Sequence, residues 1–153
     1  MKSSLNSVFL DTNIYIIGAV EPNSHERKIL NWLGFDSFDS KDKNSVQVVI
    51  SEELIEQILR VAKRLQNKDW GSKLIGLIWQ NLNIYYVFLN PEEFVRLEKL
   101  GKIPREDIGI YLTAKEGKAE CFVSANHKLI RALVTETGDF DCFTPEEFVA
   151  KYL

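Results

Sequence analysis

The sequence predicts an α/β domain, a three-layer α/β/α sandwich with a central parallel sheet. Short β-branched or aromatic runs alternate with longer amphipathic stretches along the chain. Capping and turn residues mark many of the changes between them. The length, 153 residues, suits one domain with one core, spanning residues 1–153.

The elements follow in order. Met1 to Ser7 reads as a lead-in, and Val8 to Leu10 as the first strand. Asp11 then interrupts two apolar runs, Val8 to Leu10 and Ile14 to Ile17. Charge buried there without a partner costs several kcal/mol, so Asp11 points to a metal or phosphate site. His25 to Leu33 reads as a helix ended by Gly34, and Val46 to Ile50 as a strand. Ser51 caps a helix that opens on Glu52-Glu53 and runs to about Asn67. Trp70 to Asn81 is a helix and Ile84 to Leu89 a strand. Asn90-Pro91 opens a helix ending near Gly101, and Asp107 to Lys115 forms another. Cys121 to Ser124 is a strand, His127 to Val134 a helix, and Phe140 to Phe143 the last strand. Thr144-Pro145 caps the final helix. Phe35 to Ser45 is polar and aperiodic, a mobile surface loop or one that closes over a bound strand.

Ligands of such sheets bind beyond the carboxyl ends of the strands. Asp11, Ser51 and Ser124-Ala125-Asn126 all fall at such ends.

Composition narrows the class. Hydrophobic residues make up 45% and charged residues 27%, as in a soluble globular protein. No apolar run approaches the roughly 20 residues that span a bilayer, and the first residues lack signal-peptide features. The expected location is the cytoplasm, with no membrane partner. Cys121 and Cys142 form no CxxC pair and are expected to be reduced and buried in strands. A net charge of −3 means that any nucleic-acid contact needs a local basic patch.

Several segments together resemble the PIN-domain nucleases of the VapC-like kind. LDTNIYI, Leu10 to Ile16, resembles their opening motif. ISEELIEQILRVAKRL, Ile50 to Leu65, is similar to the helix of the second motif. EDIGIYLTA, Glu106 to Ala114, is similar to the third, and AECFVSANHKLI, Ala119 to Ile130, to the fourth. FTPEEFVAKYL resembles the closing strand and helix. The match keeps its order over nearly the whole chain.

The resemblance implies a PIN-like fold and a divalent-metal-dependent ribonuclease, toxin-like or RNA-processing. It also implies Mg²⁺ or Mn²⁺, an RNA substrate, an antitoxin protein where the chain is a toxin, and a homodimer. Asp11 and Asp107 match two acidic positions, as metal ligands or, for Asp107, as the group orienting a metal-bound water. Clustered carboxylates repel one another unless a cation joins them, and Mg²⁺ takes a few carboxylates plus waters and phosphate oxygens.

Two positions depart from the family pattern. Where a glutamate is common, this chain has Gln57, with Glu56 beside it. At about 100° per residue, Gln57 lies roughly 110° and Glu56 roughly 150° from the centre of that helix's apolar face. Gln57 is therefore nearer the flank facing a site, while Glu56 stays an alternative metal ligand. Where an aspartate is usual, the chain has Asn126, which can accept a hydrogen bond but supplies no charge. Glu120 is a nearby acid that could compensate, although a strand-opening residue usually faces solvent.

Basic residues gather at Arg60, Lys63, Arg64 and Lys68, and at Arg96, Lys99, Lys102 and Arg105. Arg105, Lys102 and Arg64 are the candidates for holding an RNA backbone, Arg105 first because it precedes Asp107 by two residues. Solvated helix faces are the plainer account. His127 could touch phosphate or simply open its helix, and His25 reads the same way. Trp79, with Leu74, Ile75, Leu77, Ile78 and Leu82, gives its helix more apolar surface than one face needs, as at a subunit contact.

Three functions remain: a metal-dependent ribonuclease, a catalytically degenerate PIN domain that binds RNA or protein, and a phospho-acceptor domain. The last lacks a second acid beside Asp11 and a placed lysine.

Overall fold

Five parallel strands form one sheet in the computed structural model, which describes residues 5–36 and 45–153. They are β1 Ser7–Leu10, β2 Gln47–Ser51, β3 Ile84–Val87, β4 Cys121–Val123 and β5 Asp141–Phe143, in the spatial order β3-β2-β1-β4-β5. The chain therefore builds outward from β1 on one side and then crosses to build on the other. This reversal puts a crevice at the carboxyl ends of β1 and β4.

Eight α-helices connect the strands among the described residues: α1 Thr12–Val20, α2 His25–Trp32, α3 Glu52–Leu65, α4 Lys68–Asn81, α5 Pro91–Leu100, α6 Ile108–Glu116, α7 His127–Glu136 and α8 Pro145–Tyr152. A 3₁₀ turn at Arg105–Asp107 leads into α6. β1 is buried at all four positions, as a central strand covered on both faces must be. The architecture is the three-layer α/β fold with a parallel sheet.

Local sequence accounts for most boundaries. The Ser51 hydroxyl accepts from the Leu54 N–H and opens α3, whose first turn carries Glu52 and Glu53 at the positive end of its dipole. Gly101 closes α5 in the left-handed conformation, at φ 67°. Thr144 and Glu147 form a reciprocal capping box before α8.

Three features differ from the sequence expectation. The run Ile14 to Ile17 lies inside α1, which begins directly after Asp11. Both sides of α1 are buried, so it shows no polar stripe by which to recognise it. β3 stops at Val87, and Phe88 beyond it is 85% exposed. Cys121 is buried but Cys142 only half-buried, and both are free. Cys121 pairs with Asp141 and Cys142 with Phe122, so the two thiols point to opposite faces of the sheet. Residues 1–4 of the lead-in and 37–44 of the polar loop lie outside the described residues.

α6 is pinned against the sheet. Thr113 donates to the Gly109 carbonyl at 2.7 Å and meets the buried Ser51 hydroxyl at 2.6 Å. At its end, a Cβ on Gly117 would fall 2.2 Å from Val49 Cγ1, so only glycine allows this approach. Gly117→Ala should therefore cost about 1–3 kcal/mol through overpacking. At roughly 2–4 °C per kcal/mol, a thermal melt should show a drop of several degrees.

Candidate active site

The carboxyl edge of the sheet collects the side chains that matter. Asp11 follows β1 and is 5% exposed. Its Oδ1 accepts from the Thr12 N–H at 2.7 Å, at the positive end of α1. Its Oδ2 accepts from Ser124 Oγ at 2.7 Å and from Asn13 Nδ2 at 3.2 Å. Ser124 belongs to the turn after β4, so two neighbouring strand ends hold one carboxylate. Asn13 also accepts from the Ala125 N–H at 3.0 Å, which locks the two turns together. Even with these donors, burial dominates and holds the Asp11 carboxyl above its ordinary value.

Asp107 sits at the start of α6 but makes no capping hydrogen bond. Its carboxylate has no hydrogen-bond or ion-pair partner among the described residues, so Asp107 does not cap the helix it opens. Half-burial first, then the Asp11 charge and then Glu106, push its carboxyl up to about 6. The Asp11 contribution places the two carboxylates within electrostatic reach of each other.

A cleft of about 350 Å³ is lined by Asp11, Thr12, Asn13, Gln57, Asp107 and Asn126, with Ile16, Ile17, Val61, Leu65 and Ile110 as its apolar wall. The structure thus brings together Asp11, Gln57, Asp107 and Asn126, four residues far apart in sequence. Thr12 Oγ1 donates to Gln57 Oε1, tying α3 to the start of α1. Asn126 Oδ1 accepts from the Leu129 N–H at 3.1 Å and caps α7. A carbonyl oxygen keeps a second lone pair, so this cap does not exhaust it.

Other sequence candidates fall elsewhere. Glu56 is exposed and lines the adjoining cavity, not the Asp11 cleft, because it lies one residue, about 100°, further round α3. Arg105 lines that same adjoining cavity, 78% exposed, with its Nε 3.6 Å from Glu98 Oε2. Lys102 lies apart, with Arg96, Tyr111 and Lys115. Arg64 is exposed on α3. Glu120 opens β4 at the opposite end of the sheet, where its Oε1 accepts from the Asn6 N–H at 3.1 Å, too remote to compensate for a missing acid. His127 is exposed at the start of α7, and His25 stands 3.9 Å from Glu146.

Sequence reasoning missed one buried neighbour that feels the Asp11 charge. The Tyr15 hydroxyl is fully buried without a hydrogen-bond partner among the described residues, and burial followed by the Asp11 charge raises its pKa. Its spacing of four from Asp11 would have flagged it, had α1 been recognised as a helix.

The donor set fits one hard divalent cation. Two carboxylates plus neutral oxygens and waters suit Mg²⁺, which seldom uses an all-protein cage. Among the described residues, no three His, Cys, Asp or Glu side chains converge. Any cation here would therefore rest on Asp11 and Asp107.

Similarity to solved structures decides what this fold is. The chain resembles one in VapBC-1 from nontypeable Haemophilus influenzae, at 16% identity over 92% of this chain and 98% of that one, with a TM-score of 0.60. Another likeness is to VapBC2 from Rickettsia felis bound to a DNA fragment from their promoter, at 16% identity, 90% and 98% coverage and a TM-score of 0.58. A third is to FitAcB from Neisseria gonorrhoeae, at 22% identity, 91% and 98% coverage and a TM-score of 0.53. The chain has a PIN-like fold. No protein-family model and no curated protein sequence matches it, so it is the backbone of this PIN-like domain, more than its sequence, that carries the likeness.

Without metal, Asp107 binds its proton more tightly folded than unfolded, since its pKa rises from 3.8 to about 6. The stability it contributes is complete below about 4 and lost as pH rises through about 6. Asp107→Asn should therefore gain stability relative to the parent between pH 4 and 7. Chemical denaturation in EDTA at several pH values measures the gap, and a constant gap would contradict the coupling.

Proposed function

We propose that this PIN-like domain is a divalent-metal-dependent ribonuclease that hydrolyses RNA phosphodiesters. The observation that carries the reading is the convergence of Asp11 and Asp107 with two amides in one cleft at the sheet's switch point. The resemblance of the sequence motifs to those of PIN nucleases supports it.

The residues divide the work. Asp11 is fixed by three hydrogen bonds and is a rigid negative anchor. Asp107, with no hydrogen-bond partner among the described residues, is free to turn its carboxylate toward a cation or toward a water bound to that cation. Gln57 and Asn126 carry amide N–H groups that can hydrogen-bond phosphate oxygens without adding repulsion. Ser124 and Asn13 keep the Asp11 carboxylate from turning away. Asp11 and Asp107 would hold a Mg²⁺ or Mn²⁺ ion, which when bound would supply positive charge against the phosphate and activate water.

A second reading is a degenerate PIN domain that binds RNA or protein without cutting. It is favoured by the amides at Gln57 and Asn126 and by the absence of a third converging acid among the described residues. The toxin–antitoxin assemblies among the structural neighbours support a toxin role with an antitoxin partner. The homodimer belongs to the same reading: Leu77 and Trp79 on α4 stay 42% exposed, and Trp79 stacks on Tyr86 at 5.7 Å. Among the described residues, no helix is long and apolar enough to cross a membrane.

The two readings separate on incubation with mixed single-stranded RNA and Mn²⁺ or Mg²⁺. The nuclease cuts, and Asp11→Asn abolishes cutting; RNA retention with no cutting over a broad panel selects the degenerate module. A further expectation concerns charge. Gln57→Glu with Asn126→Asp should tighten Mg²⁺ binding on the order of tenfold, because affinity follows ligand charge. Asp also caps helices well, so α7 should survive. Calorimetric titration gives the two affinities directly.

A further inference from the structure

Three cavities adjoin along α3, and their chemistry changes in sequence. The Asp11 cleft shares Gln57 and Ile110 with a second cavity of about 580 Å³. That cavity shares Glu56 and Arg60 with a third, of about 410 Å³, between α3 and α4. The first holds two carboxylates. The second combines the Phe94 ring, the guanidiniums of Arg60 and Arg105, and the carboxylates of Glu53, Glu56 and Glu106. The third gathers Arg60, Lys63 and Lys68 with the Ser72 hydroxyl, against a single acid, Glu56. Arg60, Lys63 and Lys68 form no ion pair among the described residues.

We infer that a single-stranded RNA drapes over α3, with the scissile phosphate at Asp11 and Asp107, a base in the Phe94 cavity and a further phosphate on Arg60, Lys63 and Lys68. The inference rests on the nuclease reading of the Asp11 cleft for the first of these positions only. The middle cavity has more carboxylates than cations, so it repels a phosphate. It suits an unpaired base, which stacks on an aromatic ring or a guanidinium plane and hydrogen-bonds through its edge. Carboxylates accept from base amino groups, and guanidiniums donate to base carbonyls. The third cavity has the opposite balance and a hydroxyl donor, as a backbone phosphate requires. From Gln57 to Lys63 the rise along the helix is about 9 Å, a short step for a strand.

The test uses the full chain in EDTA, so that binding is read without cutting. A fluorescently labelled, mixed-sequence single-stranded oligoribonucleotide is titrated by anisotropy over a salt series. Removing both lysines, Lys63→Ala with Lys68→Ala, should weaken binding and reduce the salt slope by about 0.7 for each phosphate no longer neutralised. Phe94→Ala should weaken binding about fivefold or more while leaving the slope unchanged. Lys28→Ala, on exposed α2 surface, should leave binding as it is, and melting curves confirm that each variant folds. Parent-like affinity and slope in the lysine and Phe94 variants would overturn the map, and so would an equal loss in Lys28→Ala. Failure to bind RNA, with capture of an arginine-rich peptide that Glu53→Gln abolishes, would overturn it in favour of a protein-docking pocket. If the lysine and Phe94 pattern holds but no metal cuts RNA, the nuclease reading fails and the map stands. If RNA is cut but the pattern is absent, the map fails and the nuclease reading stands.

Discussion

A single buried carboxylate organises this molecule. Asp11 is placed where β1 ends, and its desolvation would be costly without the donors that surround it. Those donors come from two turns, so satisfying Asp11 requires β1 and β4 to be neighbours with their carboxyl ends level. The register supplies this, pairing Leu10 with Val123 immediately before Asp11 and Ser124. The same requirement sets the start of α1, because the carboxylate also caps that helix. The switch point of the sheet and the geometry of the candidate site are therefore one constraint seen at two scales.

Around this anchor the charges are arranged with a deficit. Among the described residues, Asp107 is the one other carboxylate lining the cleft, and its raised pKa records both burial and the repulsion from Asp11. Placing amides at 57 and 126 limits that repulsion, which makes the metal-free fold easier to hold and the cation less strongly called for. Asp107 also shows that a residue's position and its work can differ. It occupies a cap site yet does not cap, while Asn126 both caps a helix and faces the cleft. Pinning of α6 by Ser51, Thr113 and Gly117 fixes where the unrestrained carboxylate can be.

Much of this is legible in the residues. The alternation of elements, the caps at Ser51, Asn90 and Thr144, and the closing Gly101 follow from short-range chemistry that the chain displays openly. The helical phase of α3 turns Gln57 more than Glu56 toward the flank of its apolar face, and it is Gln57 that lines the cleft beside Asp11. α1 is not legible, because a helix buried around its circumference has no polar stripe. With α1 unassigned, neither Tyr15 beside Asp11 nor the Thr12 bond to Gln57 can be foreseen. Lys102 and Arg64 match Arg105 in charge, but which cation lines the cavity adjoining the cleft depends on packing that charge alone does not encode.

By itself, the sequence determined the fold class, the order of elements apart from α1, and the residue types available at each strand end. These rest on periodicity, capping and backbone preference, which act over a few residues. Tertiary structure decided which of those residues meet. Ser124 lies 113 positions from Asp11, yet is bonded to it. Glu120 lies four positions before Ser124, yet sits at the far end of the sheet. A strand reverses nothing along its length, so a few residues of separation are enough to carry a side chain from one edge of the sheet to the other.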